Sequence, residues 1–278
     1  MTFPILSKER LAENVYSYVF RAENIASHAR AGQFVILRVD ERGERFPLTL
    51  CDWSEGEGWI RLVFQVVGRS TWKLSRLEAG EEILDLVGPL GKPTPVERYG
   101  HVVCVGGGVG IAAIYPICRE LRRAGNRVTA ILGARTADLL ILEREMGEVS
   151  DELIVSTDDG SRGAKGRVTW VLEEFLKREG PDLVIAIGPA IMMKYASAVT
   201  RELGIPTRVS LNSIMLDGTG MCGTCRVEVG GETRFACVDG PEFDGHQVDW
   251  NLLLARLSQY LEEEEVSRCL SSGHGSCG

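Results

Sequence analysis

Apolar and polar positions change their period twice along the chain. From Val15 to Val87 they run as short strands: Val15-Tyr-Ser-Tyr-Val-Phe20, the β-rich Gln33-Phe-Val-Ile-Leu-Arg-Val39, and Trp59-Ile-Arg-Leu-Val-Phe-Gln-Val-Val67. Glycine and charged turns separate them. Strands without intervening helices predict a small antiparallel β-barrel. At His101 the pattern changes. Short apolar strands at Val102–Val105, Val128–Leu132, Leu153–Thr157 and Leu183–Ile187 now alternate with helical stretches, Ala112–Ala124 and one from Val168 to about Lys177. That alternation predicts a Rossmann-like α/β domain. Near the end, Trp250–Leu261 carries leucines at helical spacing and reads as an amphipathic helix, its apolar face expected on the chain's own core. The acidic run Glu262–Glu265 that follows reads as a solvated helix end. The fold class is therefore multidomain, β plus α/β. Its expected parts are a barrel over 1–98, the α/β domain over 99–209, a small module over 210–250, and a helix and tail over 251–278.

Composition narrows the function classes. The 278 residues suffice for two domains and a small third one, and the 44% hydrophobic content is that of an ordinary globular core. A net charge of −8 with no lysine–arginine block argues against nucleic acid or an anionic membrane surface as partner. No stretch has the apolar length of a membrane helix. The start, Met1-Thr-Phe-Pro-Ile, lacks the basic and apolar regions of a signal peptide. Eight cysteines in a chain of this size do not make a disulfide scaffold, and a reducing cytoplasm is expected. Cys104 and Cys118 read as buried thiols and Cys51 as a small packed residue. Cys269, His274 and Cys277 lie in a glycine- and serine-rich tail. The four histidines are scattered, with no nucleophile-and-base pairing, so no catalytic side chain is assigned.

Two stretches carry chemistry. Asp217-Gly-Thr-Gly-Met-Cys222-Gly-Thr-Cys225, closed by Cys237, brings three thiolates round one centre. The glycines at 218, 220 and 223 let backbone N–H groups turn toward sulfur. A [2Fe–2S] cluster or a structural zinc takes four ligands, and Asp217 is the candidate for the fourth; it also fits an ordinary turn. The second stretch runs from the strand at Val102 into Gly106-Gly107-Gly108-Val109-Gly110 and a helix. Strand, glycine turn and helix in that order form a nucleotide fingerprint, Gly108-x-Gly110-x-x-Ala113, with pyrophosphate expected at the helix start. Later strands end in Gly133-Ala134-Arg135, Asp158-Asp159-Gly160 and Gly188-Pro189-Ala-Ile-Met192-Met193, at the edge where open α/β sheets bind ligands. The methionine pair also fits core packing. Arg135 fits either a contact to a 2′-phosphate or a salt bridge.

The cysteine spacing resembles the iron–sulfur module of dihydroorotate dehydrogenase electron-transfer subunits, which carry four cysteines. Aspartate in the first position, with Phe235-Ala-Cys237-Val-Asp239-Gly-Pro241-Glu-Phe243-Asp-Gly245, resembles more narrowly the small subunits of NADH-dependent reduced ferredoxin:NADP oxidoreductase and of sulfide dehydrogenase. Arg45-Phe-Pro47-Leu48-Thr49-Leu50 resembles the flavin signature of ferredoxin-reductase-like proteins. The resemblance implies that Arg45 pairs with the FAD pyrophosphate and that Pro47, Leu48 and Thr49 lie along the isoalloxazine. Val66 and the turn Gly68-Arg-Ser70-Thr71 complete that expected site, and Gly88-Pro-Leu-Gly91 resembles the segment closing the domain. Implied cofactors are FAD, a [2Fe–2S] cluster on Asp217, Cys222, Cys225 and Cys237, and NAD(H) on Gly107, Gly108, Val109, Gly110, Ala134, Arg135, Asp158, Asp159, Gly188, Pro189 and Met192. The implied partner is a larger subunit with a second FAD, [4Fe–4S] clusters and an NADP(H) site, with ferredoxin engaged indirectly and flavin-based electron bifurcation as the joint reaction. Alternatives are an electron-transfer subunit of a dihydroorotate dehydrogenase or a sulfide/polysulfide reductase, and a nucleotide-binding regulatory module with structural zinc.

Overall fold

A computed structural model describes residues 2–264 and 266. Seven antiparallel strands form the first sheet: β1 (Phe3–Ala12), β2 (Val15–Arg21), β3 (Phe34–Arg38), β4 (Phe46–Ser54), β5 (Trp59–Gln65), β6 (Glu82–Ile83) and β7 (Asp85–Leu90). Their order is β6-β1-β2-β5-β4-β3-β7, a near-barrel around Tyr18, Phe20, Val35, Leu37, Leu50, Ile60, Leu62 and Phe64. Two short helices, α1 (Glu23–Ala26) and α2 (Arg69–Ser75), join its strands. Strand β1 went unrecognised in the sequence because its charged positions, Lys8, Glu9 and Arg10, break the apolar alternation while the backbone still pairs with β2 from Ile5 to Ala12 across two register shifts.

The second sheet is parallel and built from β8 (His101–Gly107), β9 (Arg127–Ala134), β10 (Glu152–Thr157), β11 (Ala164–Lys165), β12 (Leu183–Ile187) and β13 (Thr207–Ser210). Helices α3 (Gly110–Arg123) and α4 (Glu143–Val149) share one buried cluster, while α5 (Val168–Leu176) and α6 (Ala190–Glu202) share the other with the opposite pleat of the sheet. Order β11-β10-β9-β8-β12-β13 puts β8 at the switch point, with β9 on one side and β12 on the other. The strands β8, β9, β10 and β12 read as nearly continuous apolar runs, which is why the sequence revealed them, whereas the two-residue β11 and the alternating Thr-Arg-Val-Ser of β13 escaped it. Helix α6 was hidden, since Gly188–Met193 reads as a turn although the helix begins at Ala190.

Helix α3 lies between the sheet and the barrel. Its cluster includes Ala12, Val15, Cys51 and Val63 of the barrel. Cys51, Cys104 and Cys118 are all fully buried there, as expected of packed thiols. On its polar side Arg119 pairs with Asp52 and Glu120 and stacks over the Trp53 ring, 5.1 Å from the centroid.

A two-stranded ribbon, β14 (Arg226–Val229) and β15 (Glu232–Phe235), carries the cysteine loop. The chain then returns as β16 (Glu242–Asp244), antiparallel to β13 at the edge of the large sheet, so a division between 99–209 and 210–250 cuts across that sheet. The last helix, α7 (Trp250–Leu257), buries Trp250 and Leu253 in the chain's own core. It ends four residues earlier than the leucine spacing predicts, and a turn at 258–260 interrupts the pattern. Glu265, Cys269, His274 and Cys277 fall outside the described residues.

Glu242 ties these bodies together. Its Oε1 accepts the Thr94 hydroxyl from the segment joining barrel to sheet, and its Oε2 is buried with no partner among the described residues. Burial pushes its carboxyl above the usual range, with Arg208 only partly opposing. A raised carboxyl favours the folded state fully below the ordinary carboxylate pKa, and that contribution is lost as pH rises through the folded value. Glu242→Gln, which stays neutral, should therefore melt above the wild type at about pH 8, the gap closing toward roughly pH 4. Thermal melts across that range read the difference.

Candidate functional site

The cysteine loop is built around anions. Asp217 Oδ1 accepts the Thr219 N–H at 2.9 Å and Oδ2 accepts the Cys222 N–H at 3.0 Å. Cys225 Sγ accepts the Cys237 N–H at 3.5 Å. Cys225 and Cys237 are each 1% exposed, and their Sγ atoms lie 3.1 Å apart. Cys222 is exposed, and Met221 beside it is 89% exposed. The loop thus has a buried sulfur pair and an outer edge formed by Asp217 and Cys222.

Among the described residues no three Cys, His, Asp or Glu side chains converge on one point as a single metal ion requires. A mononuclear zinc needs that convergence. A two-iron cluster takes two protein ligands on each iron, so four side chains need not meet at one point. A thiol with an N–H donor aimed at its sulfur, and a carboxylate with donors on both oxygens, suit such a group.

The nucleotide residues line one cleft of about 520 Å³ at the carboxyl ends of β8, β9, β10 and β12. Gly107, Gly108, Val109, Ala134, Arg135, Asp158, Pro189 and Met192 all face it. Gly110, Gly188 and Asp159 do not. A side chain at Gly110 would put its Cβ 2.4 Å from the Ile187 carbonyl oxygen, so that glycine lets α3 start against β12. Gly188 is pressed on Met192, which lies closer still to Gly107. Met192 therefore packs the core and walls the cleft at once. Asp159 spends its carboxylate on the Ser161 hydroxyl and N–H within its own turn. Arg135 makes no ion pair among the described residues and stands free at the cleft. Sequence reasoning missed Arg167, Thr169 and Tyr195 in the lining. The first two follow Gly166 at the start of α5, a position that could have pointed to them. Val15 and Gln65 reach the same cleft from the barrel.

The strand expected to carry flavin is β4. Arg45, just before it, is exposed, with one contact to Asp85 at 3.4 Å, while Asp85 is held more tightly by Arg38 at 2.9 Å. Its guanidinium keeps free donors for a phosphate. Pro47, Leu48 and Thr49 are half-buried along β4. Val66 follows Gln65 and donates its N–H to Asn14 at 2.7 Å, so this edge of the barrel meets the cleft. Ser70 reaches Glu44 at 3.3 Å. Thr71 is used internally: its hydroxyl accepts the N–H groups of Val67 and Gly68 and donates to the Gly68 carbonyl. Gly68 and Thr71 thus close their own turn, and only Ser70 points outward.

The thiols differ in reactivity. Hydrogen bonds from Thr224 hold Cys222 below its ordinary pKa, whereas burial and the neighbouring Cys225 push Cys237 up to about 12. Burial likewise pushes Cys51 up to about 12. In iron-free protein at neutral pH, iodoacetamide should modify Cys222 well ahead of Cys225, Cys237 and Cys51. Peptide mapping by mass spectrometry checks the order; equal labelling of Cys51 would contradict it.

The profile of the iron–sulfur cluster binding domain of dihydroorotate dehydrogenase B matches residues 212–249. A Thermotoga maritima protein, described as a dihydroorotate dehydrogenase B (NAD(+)) electron transfer subunit homolog, is 52% identical over 263 residues, covering 95% of this chain and 93% of its own. The Desulforamulus reducens dihydroorotate dehydrogenase B (NAD(+)) electron transfer subunit is 33% identical, covering 88% and 97%. Among solved structures, a chain from the NADH-dependent reduced ferredoxin-NADP oxidoreductase superposes with a TM-score of 0.91 at 51% identity, covering 96% of each chain. The ferredoxin reductase of carbazole 1,9a-dioxygenase, 18% identical with a TM-score of 0.63, shares the fold. With cysteine loop, cleft and near-barrel in this arrangement, the chain belongs to the family of dihydroorotate dehydrogenase B electron-transfer subunits and their homologs, oxidoreductase subunits with a ferredoxin-reductase-like fold and an iron–sulfur cluster-binding domain.

Proposed function

We propose that this chain moves electrons between NAD(H), FAD and a [2Fe–2S] cluster and delivers them to a larger partner subunit. The observation that carries this is the cysteine loop, where Asp217 accepts two backbone N–H groups, one of them from Cys222, and Cys225 and Cys237 form a buried sulfur pair 3.1 Å apart. When bound, the nicotinamide supplies a hydride, the flavin links two-electron to one-electron chemistry, and the cluster carries single electrons. The protein's part is placement. The cleft residues hold the dinucleotide at the switch point, and Val15 and Gln65 bring the barrel to its edge. Arg45 holds pyrophosphate, and Pro47 and Thr49 support the flat ring, while the Leu48 side chain between them packs on the barrel core. Arg135 and Asp158 stand together at the cleft with opposite charges, and NAD(H) is the dinucleotide that the family resemblance implies.

The assembly that fits is an NADH-dependent reduced ferredoxin:NADP oxidoreductase, in which the partner carries a second flavin, [4Fe–4S] clusters and the NADP(H) site. Likeness to the chain of that enzyme supports it, as does aspartate at position 217, where the dihydroorotate dehydrogenase pattern has cysteine. The names of the relatives favour a second reading, a dihydroorotate dehydrogenase electron-transfer subunit. No helix among the described residues is long and apolar enough to cross a membrane. A cytoplasmic site of action is part of the proposal.

Two variants test the assignments. Arg45→Ala removes charge-assisted bonds worth about 1.5–3 kcal/mol, a roughly ten- to hundredfold rise in Kd for FAD. Titration of flavin-free protein measures it. Asp217→Cys should retain two irons per chain and shift the EPR spectrum of the reduced cluster toward that of an all-thiolate site. A spectrum indifferent to that change would remove Asp217 from the ligand set and favour the dihydroorotate dehydrogenase reading.

A further inference from the structure

Strand β3 faces two ways. Val35 and Leu37 point into the barrel core, whereas Phe34 and Ile36 belong to a separate buried cluster with Met215, Cys225, Ala236 and Cys237. Side chains on successive strand residues leave opposite faces, so the cysteine loop packs on the outer face of the barrel at β3. Strand β4 pairs directly with β3, Phe34 opposite Thr49 and Ile36 opposite Pro47. Residues directly opposite one another in a sheet share a face. Pro47 and Thr49 therefore stand on the same outer face as the cysteine pair, one strand spacing of about 4.8 Å along the sheet.

The contact is tightly fitted. Gly218, next to Asp217, sits at φ +76°, and a Cβ there would fall 2.8 Å from Ile36 Cγ1 and 2.7 Å from Leu90 Cδ1. Gly91 makes the matching allowance for Phe34, where a Cβ would meet the ring at 2.8 Å and Pro241 at 2.9 Å. Phe34 and Ile36 are 3% and 2% exposed, so no water layer separates the loop from the sheet.

We propose that Phe34 and Ile36 are the positioning residues that set the electronic contact between flavin and cluster. This rests on the cofactor assignment above. NADH is oxidised to NAD⁺ as its hydride reduces the flavin by two electrons. One electron then crosses at β3 and reduces one ferric iron of the cluster to ferrous, leaving the other on the flavin until the cluster passes its electron to the partner's acceptor. Efficient crossing needs the two groups held at short, fixed separation through packed atoms. Phe34 and Ile36 supply that packing, and Gly218 and Gly91 let the two bodies close on them.

The test uses the full chain loaded with FAD and iron–sulfur cluster, bearing Ile36→Val or Phe34→Leu, with Ile60→Val as a control. Ile60 is fully buried in the barrel core away from the cysteine loop. Flavin, iron and sulfide content are measured first, with the EPR spectrum of the reduced cluster. Absence of flavin or iron from the wild type would overturn the cofactor assignment and this proposal with it, before any kinetics. Flash photoreduction with a deazaflavin donor then starts transfer without NADH, and flavin decay and cluster reduction are followed separately. Severalfold slower cluster reduction in Ile36→Val and Phe34→Leu, with NADH-driven flavin reduction and cofactor content unchanged, is the expected result. Unchanged transfer in both variants would sink the proposal. So would equal slowing in Ile60→Val, which would mark a general loosening of the barrel. If Phe34→Leu loses its cofactors, Ile36→Val, which removes only one methylene, decides the matter.

Discussion

The seat of the cysteine loop on β3 is the contact on which the rest of the molecule depends. Burying Phe34 and Ile36 is worth about 1.5–3 kcal/mol each, and the loop supplies the cover that makes it possible. Without the loop, a large apolar patch of the barrel would face water. Without the barrel, Cys225 and Cys237 would lose the dry side that keeps them buried. Packing of the loop on the barrel and burial of Cys225 and Cys237 therefore go together. The cysteine-bearing segment also returns through Pro241 and Glu242 to β13, so the same contact adjoins the edge of the large sheet.

A line of sites follows from this arrangement. The cleft opens at the β8/β12 switch point, the barrel edge at Val15 and Gln65 closes one wall of it, and β4 leads from there to β3 and the cysteines. Helix α3 holds cleft and barrel in register by packing on both, with Arg119 locked between Asp52, Glu120 and the Trp53 ring. At the far end, Asp217, Met221 and Cys222 form an outer edge, where an electron could leave. Cleft, barrel edge, β4 and cysteine loop thus adjoin in that order, which is the order the proposed transfer requires.

Much of this was legible because the chemistry constrains residue type. Cys222, Cys225 and Cys237 announce themselves, and a glycine turn between an apolar strand and a helix has few other uses. Where residue type served structure as well as function, the sequence was ambiguous. Thr71 matches a phosphate turn yet spends its hydroxyl on its own backbone, and Gly110 serves helix–strand packing. Met192 serves packing and the cleft together, and no spacing could have separated the two roles. Arg167, Thr169 and Tyr195 are brought to the cleft by the sheet order alone, which no local pattern encodes. The two-faced nature of β3 was equally hidden. Phe-Val-Ile-Leu reads as a continuous apolar run, and only the fold reveals that alternate residues enter different cores.

The most direct measurement is magnetic. The anaerobic chain loaded with both cofactors would be poised so that a flavin radical coexists with the reduced cluster, and the relaxation rate of the radical would be recorded by pulsed EPR. Close contact across β3 predicts a flavin radical that relaxes much faster than in cluster-free protein, and a return to the slow rate when the iron is removed. A radical that relaxes at the same rate with and without the reduced cluster would place the two groups far apart, and would contradict the shared face of β3 and β4 as the route between them.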